Sequence, residues 1–244
     1  ADLVKHHADC EYPFRQNSDF WYLTGFDEPD SIALFLAHKP EGERFILFVN
    51  EKDAISEVWN GFRWGTGGAL DVFKADKSHP INQFAEKLPN YLNGADEIIF
   101  TIGKNKKIET IVLDLWSNQL NNFSRIGFAP TSIKPVGMYL NDMRLIKSNY
   151  EIKRMREASQ ISAEAHELVR CNLNTKTNER QLQGVIEGFF LEKGTRGPAY
   201  NTIIASGDNA CILHYTSNNS ELNKGDLILV DAGCSLTDYY NGDI

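Results

Sequence analysis

Near the end of the chain four apolar residues, Leu227–Val230, run straight into a carboxylate, Asp231, and then into Ala232–Gly233. An apolar run of that length predicts a buried strand. Burial makes its last residue informative. An ionised carboxylate at the edge of an apolar strand is costly unless it is paired, protonated or bound to a cation. An aspartate that caps a turn or forms a salt bridge meets that requirement, and so does a metal ligand. A second carboxylate, Asp243, follows twelve positions later. The intervening "AGCSLTDYYNG" predicts a strand, a turn at about Ser235–Asp238 and a returning strand. Such a hairpin brings Asp231 and Asp243 opposite each other if the turn permits. Two carboxylates held close repel, so a positive group belongs between them, and oxygen donors suit hard divalent ions such as Mn²⁺ or Mg²⁺. The alternative is a splayed, solvated pair with Asp238 as the turn residue.

The rest of the chain predicts two halves, 1–144 and 145–244. In the first, "SIALFLAHKPEGERFILFVN" is a hairpin around Pro40–Gly42. Phe84, Leu88 and Leu92 share a helical face that ends at Gly94, and "ADEIIFTIG" is a buried strand. Ile108, Ile111, Val112, Leu115 and Trp116 mark another helix. Strands alternating with helices give an α/β domain. The second half opens with a capping box, Ser148 and Glu151, ahead of a helix whose apolar positions are Ile152, Met155, Ile161 and Leu168. A second helix is capped by Thr177, carries Leu182, Val185, Ile186, Phe189 and Phe190, and stops at Gly194. Three strand-like runs follow: "NTIIAS", "ACILHYT" and "DLILVDAG". This half is α+β. His214 lies in the middle run. A lone histidine in an apolar run is usually packed, and becomes a catalytic candidate if its strand lies beside the carboxylate hairpin.

Composition narrows the function. Of 244 residues, 42% are hydrophobic and 24% charged, which is globular composition, and 33 acidic against 25 basic residues give a net charge of −8. With no basic block there is no electrostatic footprint for nucleic acid. No apolar segment approaches the length of a membrane span. The four cysteines (Cys10, Cys171, Cys211, Cys234) are scattered without a C-x-x-C pair, and free buried thiols in a reducing compartment are expected. The first residues lack the apolar core of a signal peptide. A cytoplasmic protein is the resulting expectation.

"CILHYTSN" followed by "GDLILVDAGC" and "GDI" resembles the bacterial Xaa-Pro aminopeptidases (aminopeptidase P) of the pita-bread metallopeptidases, family M24. "EYPFRQNSDFWYLTGFDEPD" resembles their N-terminal-domain signature, and "MRLIKSNYEIKRMREA" their inter-domain junction. The resemblance runs in order over nearly the whole chain. It implies an α/β N-terminal domain of the ribonuclease H-like, creatinase N-terminal type. An α+β pita-bread (creatinase/aminopeptidase) catalytic domain follows, here incomplete. It implies release of the N-terminal residue from peptides with proline second, by a metal-bridged hydroxide. The implied cofactors are two divalent ions, usually Mn²⁺, held by a pair of Asp, a His and a pair of Glu. On the matching positions, Asp231 and Asp243 are metal ligands, His214 is catalytic, and Tyr200 lies by the metals and substrate. Trp59 reaches a neighbouring subunit's site in tetrameric members, so a homo-oligomer (dimer or tetramer) is implied, as is an aromatic wall for the proline ring. The family's interval between its aspartates is one residue shorter than here. The extra residue is expected in the turn "SLTDYY" or in a bulge. The family's remaining ligands lie beyond Ile244, and its first strand and helix before Ala1. The chain is therefore expected to be truncated at both ends and to supply only part of the site. Competing functions are prolidase, methionine aminopeptidase or creatinase on the same fold, and a non-enzymatic binding module that has lost its metal carboxylates. The N-terminal-domain resemblance speaks against methionine aminopeptidase. The presence of both aspartates speaks against the binding module.

Overall fold

The computed structural model describes residues 1–8 and 10–243. They divide into two compact units, Ala1–Leu145 and Ile146–Ile244.

In the first unit, β1 (Lys5–His7) and β2 (Cys10–Glu11) pair, and helix α1 spans Ser18–Thr24. The expected hairpin forms: β3 (Ile32–Phe35) runs antiparallel to β4 (Phe45–Val49). Helices α2 (Ala54–Asn60) and α3 (Gly65–Asp71) lead to β5 (Lys77–Pro80), parallel to β4, so β4 is the central strand. Alternation along β4 serves two faces. Ile46 and Phe48 join a cluster with Phe84, Leu88 and Leu92 of α4 (Phe84–Leu92), and Leu47 and Val49 join Phe26 and Ala69. β6 (Glu97–Ile99), α5 (Lys106–Asn121), α6 (Phe123–Ile126), β7 (Ser132–Lys134, parallel to β6) and α7 (Gly137–Leu145) complete the unit. On α5, Val112 is buried, with Ile108, Ile111, Leu115 and Trp116 packed beside it as expected.

The second unit begins with α8 (Asn149–Asn172). Its capping box is complete: the Glu151 N–H donates to Ser148 Oγ and the Ser148 N–H to the Glu151 carboxylate. Its buried stripe differs from the expected one. Ala158, Ser162, Ala165 and Val169 face inward, whereas Ile152 and Met155 remain 36% and 38% exposed. The spacing is helical in both sets, but close packing selected the small residues. Helix α9 (Glu179–Glu192) is capped by Asn178, not Thr177: Asn178 Oδ1 accepts from the Gln181 N–H. Asparagine caps as well as threonine, and a dipeptide of two good caps does not identify which one turns. Gly194, at φ 76°, ends the helix in the left-handed region, where glycine carries no steric penalty. Leu182, Ile186 and Phe190 meet Ala158, Ala165 and Val169 in the core.

β8 (Ile203–Ser206) and β9 (Ile228–Asp231) pair antiparallel, with Ile203 opposite Asp231. The run "ACILHYT" is not a strand. It begins as a 3₁₀ turn, Gly207–Cys211, and continues as an irregular loop. Its apolar residues, Ile212 and Leu213, are exposed, and with them Cys211. All four cysteines are free, and only Cys234 is buried. Among the described residues no helix is long and apolar enough to cross a membrane.

Candidate metal centre

Three segments converge on one concavity of about 450 Å³, lined by Tyr200, Asn201, Ile203, His214, Thr216, Asp231 and Asp243. Asp231 is the last residue of β9 and is half-buried. The chain then pairs with Arg196–Ala199: the Arg196 N–H donates to the Ser235 carbonyl, and the Ala199 N–H to the Gly233 carbonyl. That pairing delivers Tyr200 beside Asp231.

The returning arm brings Asp243. Ser235 pairs with Asn241, and the Gly242 N–H donates to the Cys234 carbonyl at 2.9 Å. Extending this register by two residues (235 to 233, 241 to 243) sets Asp243 against Gly233. Residues two apart on a strand share a face, so Asp231 and Asp243 become diagonal neighbours on one face. The turn occupies Leu236–Tyr240, somewhat later than expected, with Tyr239 at φ 65°. The twelve-position interval thus leaves both carboxylates on one face.

Two glycines permit this approach. A Cβ on Gly233 would collide with the Gly242 carbonyl group. A Cβ on Gly242 would land on Ser162 Oγ and lie 2.6 Å from the Ala158 carbonyl oxygen. The small stripe of α8 is the bed on which this arm lies. Ser162 Oγ also accepts from the Cys234 N–H at 3.1 Å, and His166 Nε2 lies 2.9 Å from the Ala232 carbonyl.

The Tyr200 hydroxyl donates to Asp243 Oδ1 at 3.1 Å. Burial pushes the Tyr200 pKa well above the ordinary phenol value, and hydrogen bonding to Asp231 and Asp243 and their charges push it further. A neutral phenol between two carboxylates is thereby favoured.

His214 reaches the same concavity from the loop, not from a strand, and its loop is held by buried side chains in place of a ladder. Glu179, at the start of α9, is 0% exposed. Its Oε1 accepts from the Ser206 N–H at 2.8 Å and Asn209 Nδ2 at 3.1 Å, and its Oε2 from the Tyr215 hydroxyl at 2.7 Å and the Ser220 N–H at 2.9 Å. Asn218, also 0% exposed, accepts from the Ile204 N–H and donates to the Thr202 carbonyl and Gln183 Oε1. Both ends of 206–220 are therefore tied down, and His214 projects from between the ties into the open.

Of the expected site residues, Asp231, Asp243, Tyr200 and His214 come together. Trp59 does not line this concavity. It sits on α2 in the first unit, 83% exposed, next to the equally exposed Val58. Sequence reasoning missed Asn201, Thr216, Glu179 and Asn218. Only Glu179 carried a usable signal, as an acidic residue one position past an asparagine helix cap.

The oxygen-rich pair suits a hard divalent cation, and the missing Cβ atoms of Gly233 and Gly242 let the two carboxylates close on one side of the concavity. Among the described residues no group of three or more His, Cys, Asp or Glu is placed to hold an ion.

Residues 1–100 match the family model for the aminopeptidase P N-terminal domain, and residues 153–244 that for metallopeptidase family M24. The chain is 36% identical over 244 residues to an Xaa-Pro aminopeptidase of Escherichia coli, covering 100% of this chain and 55% of that protein. It is 40% identical over 242 residues to an Xaa-Pro aminopeptidase of Haemophilus influenzae, covering 98% and 53%. A structure of zinc-substituted Escherichia coli aminopeptidase P in complex with product superposes with a TM-score of 0.90 at 37% identity, covering 100% of this chain and 55% of that one. The chain thus spans about half the length of the curated relatives it matches.

Proposed function

The chain belongs to metallopeptidase family M24 and carries the aminopeptidase P N-terminal domain, and from that premise we propose that the protein is a metal-dependent aminopeptidase. Its substrates are peptides with proline at the second position, and it releases the residue before the proline. The observation that carries this reading is the meeting of Asp231, Asp243, Tyr200 and His214 in one concavity. Asp231 and Asp243 would hold divalent metal, with Mn²⁺ the ion we favour because the donors are carboxylate oxygens. Bound divalent metal lowers the pKa of water towards neutrality and polarises a carbonyl. Tyr200, kept protonated by its surroundings, donates its single O–H to the Asp243 carboxylate and so orients it. His214, exposed on a tethered loop, hydrogen-bonds the substrate or the oxygen on which charge develops. The imide bond before proline has no N–H, so recognition falls to the ring, and an aromatic side chain brought by another copy of the chain, such as its Trp59, suits that role.

We further propose that the two compact units are domains, 1–144 and 145–244, and that the protein is cytoplasmic, which its free thiols support. The exposed face of α2 around Trp59 supports assembly into a homo-oligomer, a dimer or tetramer. The test is hydrolysis by the whole protein of a tripeptide with central proline and of an Xaa-Pro dipeptide, with and without chelator. Chelator-sensitive release from the tripeptide is expected. Cleavage confined to the dipeptide would make it a prolidase, and no cleavage of either would favour a binding module.

A further inference from the structure

The turn between the two carboxylates is held by an ion pair. Two backbone bonds close it: the Leu236 N–H donates to the Tyr240 carbonyl at 2.9 Å, and the Tyr239 N–H to the Leu236 carbonyl at 3.0 Å. It contains no glycine, and Tyr239 takes a left-handed conformation that costs a residue with a Cβ about 1 kcal/mol or more. A slip of one residue would turn the Asp243 side chain to the opposite face.

Helix α8 opposes that slip. Arg154 donates from Nε to Asp238 Oδ2 at 2.6 Å and from Nη2 to Asp238 Oδ1 at 3.0 Å, a two-pronged grip on the tip of the turn. The Tyr150 hydroxyl donates to the same Oδ2 at 2.9 Å. The side chains of Arg154 and Asp238 are 21% and 15% exposed, so solvent screens the pair only in part. Past the tip, Tyr240 packs at the margin of the core and its hydroxyl bonds the Glu151 carboxylate of the capping box. Gly242 then seats on Ala158 and Ser162, further along the same helix. One rigid helix therefore fixes positions 238, 240 and 242 in succession, and residue 243 is the carboxylate.

We propose that Arg154 and Asp238 are positioning residues for Asp243: their ion pair locks the register of the turn that delivers the second metal-binding carboxylate. The proposal rests on the metal-site reading given above. A bidentate arginine fixes two directions at once, whereas lysine supplies a point charge. The pair's effect therefore falls more on where Asp243 sits than on how stably the unit folds.

The test is Mn²⁺ affinity by isothermal titration of the full chain, with the melting temperature read in parallel. Asp238→Asn and Arg154→Met should each weaken Mn²⁺ binding by about tenfold, the loss usual when an orienting partner of a ligand is removed. The double variant should be no weaker than either single, because both remove the same constraint. Arg154→Lys, which keeps charge and volume, should still lose several-fold and guards against a variant that fails to fold. Glu157→Gln, which touches only the remaining guanidinium nitrogen, should bind as the parent does. Affinity within twofold of the parent in Asp238→Asn and Arg154→Lys overturns the proposal, even if the melting temperature falls. A parent whose Mn²⁺ binding is unaffected by Asp231→Asn overturns the metal-site reading itself, and the proposal with it.

Discussion

Replacing Glu179 by alanine should be among the most damaging single changes in the second unit. The carboxylate accepts from the Ser206 N–H, the Ser220 N–H and the Asn209 amide, and it receives the shortest bond of the Tyr215 hydroxyl. Asn209 keeps other partners in Tyr215 and Ser220 Oγ, so its loss is partial. Ser206 and Tyr215 are buried and Ser220 is half-buried. A buried donor left without an acceptor costs about 1–3 kcal/mol. Two fully buried donors and one partly buried give about 3–5 kcal/mol once some water enters the space. Urea unfolding of the second unit should show that loss. Hydrogen exchange should show 206–220 opening while the α8–α9 core stays protected. The loss is also pH-dependent. Burial alone would raise the Glu179 pKa, but the hydrogen bonds from Ser220, Ser206, Tyr215 and Asn209 outweigh it and hold the carboxyl below its ordinary value. A depressed folded-state pKa stabilises above the unfolded value, about 4.3, and that contribution disappears as pH falls through the folded value. The gap between the parent and Glu179→Gln should therefore be full at neutral pH and narrow as the solution is acidified below about pH 4. A loss under about 1 kcal/mol with unchanged exchange in 206–220 would refute the tether.

Gly242→Ala drives a Cβ against the Ala158 carbonyl of a helix that cannot yield, so overpacking of about 1–3 kcal/mol should appear as a lowered melting temperature. Phe190→Ala empties a fully buried position between α8, α9 and β8 and should cost about 3–5 kcal/mol in chemical denaturation. Ultraviolet titration should assign to Tyr200, by comparison with Tyr200→Phe, a phenol that ionises well above the ordinary tyrosine value near 10. Trp59→Ala, at an exposed site, should leave stability within about 0.5 kcal/mol, while sedimentation should report dissociation if the α2 face is an interface.

What the sequence disclosed was periodic or punctuated. The β3–β4 hairpin, α4, α5, the capping box at Ser148 and Glu151, and the core face of α9 all followed from spacing and caps. Asp231 was legible because a charge ended an apolar strand, although that strand is not the buried one expected: Leu227 is 84% and Leu229 41% exposed. What stayed hidden depended on tertiary packing. The apolar run around His214 has strand composition, yet Glu179 and Asn218 offer its neighbours better hydrogen-bond partners than a ladder would, and Ile212 and Leu213 are left in solvent. On α8 the larger residues gave the stronger periodic signal, but the returning arm at Gly242 demanded alanine and serine beneath it. The grip of Arg154 on Asp238 joins residues 84 positions apart, and no local pattern announces it.

On the proposed function, Asp231 and Asp243 hold divalent metal together. The most direct test is anomalous diffraction from crystals of the protein equilibrated with Mn²⁺. A peak within bonding distance of both carboxylates, on the side of the concavity that His214 faces, is the predicted result. An empty map at those carboxylates, with Mn²⁺ ordered elsewhere in the same crystal, would contradict it.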